Sequence, residues 1–144
     1  VADGILYFQQ GKNLEALDYA AYIDVQREKS ALKVDGKTLT AEGLKELLAK
    51  SKTITKESIA SVPEREAACV KWKIPHPVAA NLIVTPQYVI TGSQRQVQVI
   101  DRQSGEQKWT AEIDGTAYGL AVGEGVLVVS TDHGHLTAYG GDQP

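Results

Sequence analysis

The stretch Val99-Ile100-Asp101-Arg102-Gln103-Ser104-Gly105-Glu106-Gln107-Lys108-Trp109 decides the fold of this chain. It predicts a strand ending near Ile100, a tight turn over residues 101–105, and a second strand that carries Trp109. Asp and Ser side chains in such turns bond nearby backbone amides, and glycine takes a positive φ at no steric cost. Trp109 adds a large apolar surface at a fixed distance from the turn, and its ring N–H requires an acceptor. The stretch therefore predicts a β-hairpin corner stabilised by a tryptophan.

The same order of strand, polar turn and alternating strand occurs three times along the sequence. The three copies cover residues 4–18, 88–101 and 125–139. The second and third copies are 38 to 39 residues apart, counted from Tyr88 to Val126 and from Val99 to Ala138. Further strands are predicted over 80–84 and 118–122, which precede the last two copies, and over 69–74 and 107–113, which carry Trp72 and Trp109. A repeat of about 40 residues built from four strands is typical of β-propellers.

The spacing of Val99, Asp101, Ser104, Gly105 and Trp109 resembles the A-x-D-x-x-T-G-x-x-x-W tryptophan-docking motif of PQQ-like β-propeller repeats. Residues 117–122 and 129–134 are also similar to such repeats in bacterial multi-repeat proteins. The first repeat matches only through residues 4–18 and Trp72, where Asp18 and Trp72 stand as its docking residues. The resemblance implies a mainly β fold, a partial β-propeller of about two and a half four-stranded antiparallel blades.

The first repeat is interrupted by a segment with helical periodicity. Trp109 follows Asp101 by 8 residues, whereas Trp72 follows Asp18 by 54. Asp18 can cap a helix that runs to about residue 33, and residues 34–37 predict a turn. A second helix is predicted over 41–50, where three leucines share one face, and 54–59 can add another turn. We therefore predict propeller blades over residues 1–18 and 69–144 and an inserted α-helical hairpin over 19–68; the alternative is that residues 19–25 continue as strand.

Composition and charge exclude several classes of function. The 144 residues are 42% hydrophobic and 23% charged, which is ordinary for a globular chain. A formal net charge of -3 provides no basic field for nucleic acid. No apolar run is long enough for a transmembrane helix, and residues 1–4 do not begin a signal peptide. Cys69 is the only cysteine, and we expect it to be a small buried hydrophobe rather than a nucleophile.

His133 and His135, next to Asp132, are the residues with metal-ligand chemistry. Two His at i and i+2 on a strand point to the same face and can share a metal ion. The same residues lie in a predicted hairpin turn, where Asp-x-Gly is explained by turn chemistry, and no third ligand is near in sequence. We therefore predict no metal site and keep these three residues as the candidates. His76, between two prolines, is predicted to be a loop residue.

The resemblance also raises the question of a cofactor. In quinoprotein dehydrogenases with this fold, PQQ lies on the propeller axis between a tryptophan and a vicinal disulfide, with a calcium site and a catalytic aspartate. This sequence has no adjacent cysteines, and both tryptophans match docking positions. It also contains no Gly-x-Ser-x-Gly motif and no phosphate-binding loop. We therefore predict no catalytic residues and no cofactor in this chain.

The function hypothesis that follows is a non-enzymatic β-propeller scaffold that binds proteins or ligands, part of a longer bacterial protein that is periplasmic or secreted. The alternative is a fragment of a PQQ-dependent quinoprotein oxidoreductase whose active site lies outside this chain. A third hypothesis is a regulatory or assembly module beside a catalytic domain. Incomplete propellers leave sheet edges unpaired. The expected partners are therefore the remaining blades or another protein chain, including copies of itself, unless the blades form a small open sandwich.

Overall fold

The structure is a computed structural model that describes residues 1–31, 33–34, 37–38 and 61–140. Strands hold 61% of these residues, so the fold is mainly β, as the sequence predicts. The elements in chain order are β1 (Ile5–Gln10), β2 (Asn13–Asp18), α1 (Tyr19–Ala31), β3 (Lys33–Val34), β4 (Lys37–Thr38), α2 (Val62–Ala68), β5 (Val70–Pro75), β6 (Ala79–Val84), β7 (Tyr88–Asp101), β8 (Gln107–Gly123), β9 (Val126–Thr131) and β10 (Leu136–Gly140).

The chain forms two compact units. One comprises Val1 and residues 3–6 and 17–70, and the other comprises Ala2 and residues 7–16 and 71–144. The first unit carries both described helices and the short antiparallel pair of β3 with β4. Neither described helix has the length and apolar character that crossing a membrane requires.

Helix α1 begins where the sequence predicts. The Oδ1 of Asp18 accepts a hydrogen bond from the Ala21 amide at 3.1 Å, so Asp18 is its N-terminal cap. Residues 19–25 are therefore helical, and the alternative of a continued strand is wrong. The helix ends at Ala31, two residues before the predicted end. The predicted helix over 41–50 and the turn over 54–59 lie outside the described residues.

Helix α2 lies within the predicted helical insertion over 19–68 but after the individual helices predicted there, and ion pairs hold it against α1. Arg65 bonds Glu28 at 2.6 Å, and Lys29 bonds Glu66 at 2.7 Å. The hydrogen bond from Arg65 holds the pKa of the Glu28 carboxyl below its usual range. Cys69 follows α2 and is buried, as its sequence context predicts.

Apart from the β3–β4 pair, the described strands form two antiparallel sheets. The smaller sheet has the strand order β1-β2-β5, and the larger has the order β10-β9-β8-β7-β6. The first part of β7 pairs with β6, and its last part pairs with the start of β8. The end of β8 then pairs with β9, and β9 pairs with β10.

Strand β7 folds back on itself. The amide of Arg102 donates to the carbonyl of Gln87 at 3.0 Å, although an extended chain would separate these residues by about 50 Å. The hydroxyl of Ser93 donates to the Gln96 carbonyl at 3.1 Å, and Arg95 between them has a φ of 62°. The two arms of β7 therefore lie side by side with their bend near Arg95, where the sequence predicts a turn over 92–96.

Strand β8 joins two segments that the sequence analysis separates. Residues 107–113 and 118–122 were predicted as different strands, but they belong to one strand of 17 residues. Gly115 lies between them with a φ of 89°, and a Cβ there would collide with the Asp132 carboxylate. Because glycine tolerates both the positive φ and the close approach, the strand changes direction here without ending.

The core of the second unit lies between the β7 hairpin and the following strands. The buried side chains in it are Ile90, Val97, Ala117, Leu127 and Val129. A Cβ at Gly92 would lie 2.6 Å from the Ala117 carbonyl oxygen, so the absence of a side chain lets β7 and β8 approach closely.

Candidate functional site

The turn over residues 101–105 is ordered by its own side chains. The Oδ1 of Asp101 accepts hydrogen bonds from the backbone amides of Gln103 at 3.0 Å and Ser104 at 2.8 Å, and from the Ser104 hydroxyl at 2.9 Å. These bonds, those from Ser104 first, hold the pKa of the Asp101 carboxyl below its usual value. Gly105 has a φ of 74°. The turn thus has the hydrogen bonds and the positive φ that the sequence predicts.

Trp72 packs on this turn. Its side chain is only 8% exposed, and its Nε1 donates to the carbonyl oxygen of Arg102 at 2.9 Å. A Cβ at Gly105 would lie 2.8 Å from Cδ2 of the indole, so the ring rests directly on the glycine backbone. Trp72 belongs to β5 of the smaller sheet, whereas the turn joins β7 to β8 of the larger sheet. The docking contact therefore joins the two sheets.

The side chain of Arg102 also connects the turn at 101–105 to the smaller sheet. Its Nε donates to the Tyr7 hydroxyl at 2.9 Å, its Nη2 to the Ala2 carbonyl at 3.1 Å, and its Nη1 to the Pro86 carbonyl at 3.2 Å. The guanidinium also lies 5.7 Å from the centre of the Tyr7 ring. The sequence around Arg102 does not indicate this role, because an arginine in a polar turn is ordinarily solvated.

Trp109 has a different environment from Trp72. Its side chain is 38% exposed, it lies opposite Val99 in the β7–β8 ladder, and it packs edge-on against Tyr139 with ring centres 5.0 Å apart. Its indole N–H donates to no group in the part of the chain that the structure describes. The turn over 101–105 is covered by Trp72 instead. Asp18, the other predicted docking aspartate, caps α1.

Trp109 lies in an open groove of about 800 Å³ on the larger sheet. Its lining includes the rings of Tyr88, Trp109 and Tyr139 and the aliphatic side chains of Ile90, Val99 and Val122. Lys108 is its charged lining residue and forms an ion pair with Glu106 at 2.5 Å. Such a surface can pack apolar groups and donate a hydrogen bond from the Trp109 indole.

The candidate metal ligands separate into two sets. His133 Nδ1 lies 3.1 Å from one carboxylate oxygen of Asp114, and His135 Nε2 lies 3.2 Å from the other. Asp132 is engaged elsewhere, since its Oδ1 accepts from the Thr116 amide at 2.7 Å. That hydrogen bond is the main reason that the pKa of Asp132 is lowered. Among residues 1–31 and 61–140, no group of three His, Cys, Asp or Glu side chains is placed to hold a metal ion.

Comparison of the sequence with models of protein families and with curated proteins finds no match to either. The geometry of the docked turn and of the groove is therefore the basis for a functional proposal.

Proposed function

We propose that this chain is a run of PQQ-like β-propeller repeats, about two and a half blades, that serves as a non-enzymatic scaffold for binding proteins or ligands. The observation that carries the proposal is the contact of Trp72 with the turn at 101–105. It supports the docking role that the motif implies, because the indole covers the glycine and bonds a backbone carbonyl within the turn.

The pairing of the strands also supports the proposal. Strand β6, the two arms of β7 and the first part of β8 follow one another as four antiparallel strands, which is the arrangement of one blade. Strands β1, β2 and β5 correspond to the last three strands of a preceding blade. The second part of β8 with β9 and β10 corresponds to the first three strands of a following one.

The exposed groove is the proposed place of interaction. Trp72 and Trp109 hold the same position in consecutive repeats, yet the Trp109 indole N–H has no acceptor among the described residues. Strand β10 is at the edge of its sheet, so its outer backbone groups can pair with a further strand. We propose that the remaining blades or another chain cover Trp109 and this edge.

Single-tryptophan variants test the coverage of Trp109. Trp72→Phe leaves Trp109 as the only tryptophan among residues 1–144, and within the full reading frame its signal is the difference between this variant and Trp72→Phe/Trp109→Phe. We expect this difference emission to lie at shorter wavelength, and its acrylamide quenching to be lower, than in residues 1–144 alone. Trp109→Phe is the matched control, because Trp72 is buried in both proteins. Unchanged emission and quenching of Trp109 would contradict the proposal.

The enzymatic alternative is tested on the same full-length protein. Pyrroloquinoline quinone with Ca²⁺ is added, and tryptophan emission is followed together with electron transfer from an alcohol to a dye. The scaffold proposal predicts no saturable quenching and no dye reduction. Saturable quinone binding with turnover would favour the quinoprotein oxidoreductase.

A further inference from the structure

His76 lies at the meeting point of two hairpins. It belongs to the linker between β5 and β6 and is only 4% exposed. Its backbone amide donates to the Lys12 carbonyl at 2.9 Å in the β1–β2 turn, and its ring Nε2 lies 2.8 Å from the Thr91 hydroxyl on β7. One residue therefore bridges the smaller sheet and the β7 hairpin.

The hydrogen bonds define the protonation state of the ring. Nδ1 lies 2.6 Å from the Pro77 carbonyl, which can only accept, so Nδ1 carries the hydrogen. In the neutral ring, Nε2 then accepts a hydrogen bond from the Thr91 hydroxyl. Gln9 holds the same linker, since its Nε2 donates to the Pro77 carbonyl at 3.0 Å and its Oε1 accepts from the Ala79 amide at 2.7 Å.

A second proton on His76 would disturb this arrangement. The protonated Nε2 becomes a donor, so the Thr91 hydroxyl has to turn away, and the positive charge is buried without a carboxylate bonded to the ring. The side chain of Gln98, whose Oε1 is buried, favours the charged ring in part, but it carries no charge that could neutralise the imidazolium.

Burial is the main cause that lowers the pKa of His76, and the Pro77 carbonyl and the Gln98 side chain oppose it in part. The charged groups on the surrounding elements do not contribute to this shift. They are Lys12 in the β1–β2 turn, Glu15 and Asp18 on β2, Lys71 and Lys73 on β5, and Arg95 and Asp101 on β7.

We propose that His76 makes the contact between the β5–β6 linker and the β7 hairpin sensitive to acid. Uptake of one proton at Nε2 loosens the linker from Thr91 and separates the β1–β2 hairpin from the β7 hairpin. The unfolded ring takes up its proton at a pH of about 6.5, whereas the folded ring does so only at lower pH. The buried neutral ring therefore contributes its full stabilisation of the folded state above about pH 6.5, and this contribution is lost as the pH falls through the pKa of the folded state.

Urea unfolding of the whole chain between pH 7.5 and 5 tests the proposal. We expect the unfolding equilibrium constant to rise below pH 6.5 by up to about tenfold per unit of pH, the limit for one proton. In His76→Gln this rise is expected to disappear. The matched control is the double variant His133→Gln/His135→Gln, which removes two exposed imidazoles and is expected to retain the rise.

An unchanged pH dependence in His76→Gln, or its loss in the control, would overturn the proposal. If His76→Gln does not fold, the native protein supplies the measurement through an NMR titration of the His76 ring and amide exchange at His76 and Ala79. The proposal is supported if the ring stays neutral below pH 6.5 and if acid accelerates amide exchange at His76 and Ala79. A ring that titrates at pH 6.5 or above, or exchange without that acceleration, contradicts it.

Discussion

Replacing Trp72 with alanine is expected to lower the free energy of unfolding by about 3–5 kcal/mol, the usual cost of truncating a buried tryptophan. The indole covers Gly105, bonds the Arg102 carbonyl and lies 6.0 Å from the Tyr7 ring. Its loss opens a cavity between the two sheets and leaves that carbonyl without its partner. Urea unfolding followed by circular dichroism at 218 nm measures the change.

Trp109→Ala is the matched control for this experiment. Trp109 is 38% exposed and its indole bonds no described residue, so the expected loss is smaller, about 1–3 kcal/mol, from its partial burial and its aromatic pair with Tyr139. Equal losses in the two variants would mean that Trp72 has no special role in joining the sheets.

Gly105→Ala is expected to cost about 2–5 kcal/mol, the second large effect. Two terms contribute: a left-handed backbone costs about 1–2 kcal/mol in a residue with a Cβ, and overpacking costs about 1–3 kcal/mol. The second term arises because the new Cβ would lie 2.8 Å from the Trp72 ring and has to displace it. Thermal or urea unfolding gives the change in free energy.

Gly125→Ala separates the two terms. Gly125 has a φ of 76°, close to the 74° of Gly105, but a Cβ there would meet no heavy atom within 4 Å. We expect this variant to lose only the backbone term, about 1–2 kcal/mol. If Gly105→Ala were no more destabilising than Gly125→Ala, the indole would not be resting on the turn.

The local features of the fold could be predicted from the sequence because they depend on nearby residues. Alternating apolar residues and polar turns predict strands at the positions of β1, β2 and β5 to β10, and Asp18 predicts the start of α1; the short strands β3 and β4 are not predicted. The turn at 101–105 is determined by Asp101, Ser104 and Gly105, which lie within five residues of each other. Helix α2 was missed because it has only seven residues and no side-chain cap.

The contacts that join the sheets could not be predicted in the same way, because they connect distant parts of the chain. The Arg102 guanidinium bonds Tyr7, 95 residues earlier, and Trp72 bonds a carbonyl 30 residues later. Trp72 and Trp109 look equivalent in sequence, and only the packing of the sheets decides which of them covers the turn. His76 lies between prolines as a loop residue would, and its burial results from hairpins that approach from both sides.

The most direct test of the central claim is a double-mutant cycle between Trp72→Leu and Gly105→Ala. Leucine removes the flat ring, so the new Cβ no longer meets it. We expect Gly105→Ala to cost only about 1–2 kcal/mol in the Trp72→Leu background, close to Gly125→Ala, with a coupling energy of about 1–3 kcal/mol. Additive losses, within about 0.5 kcal/mol, would contradict the claim that Trp72 docks on this turn.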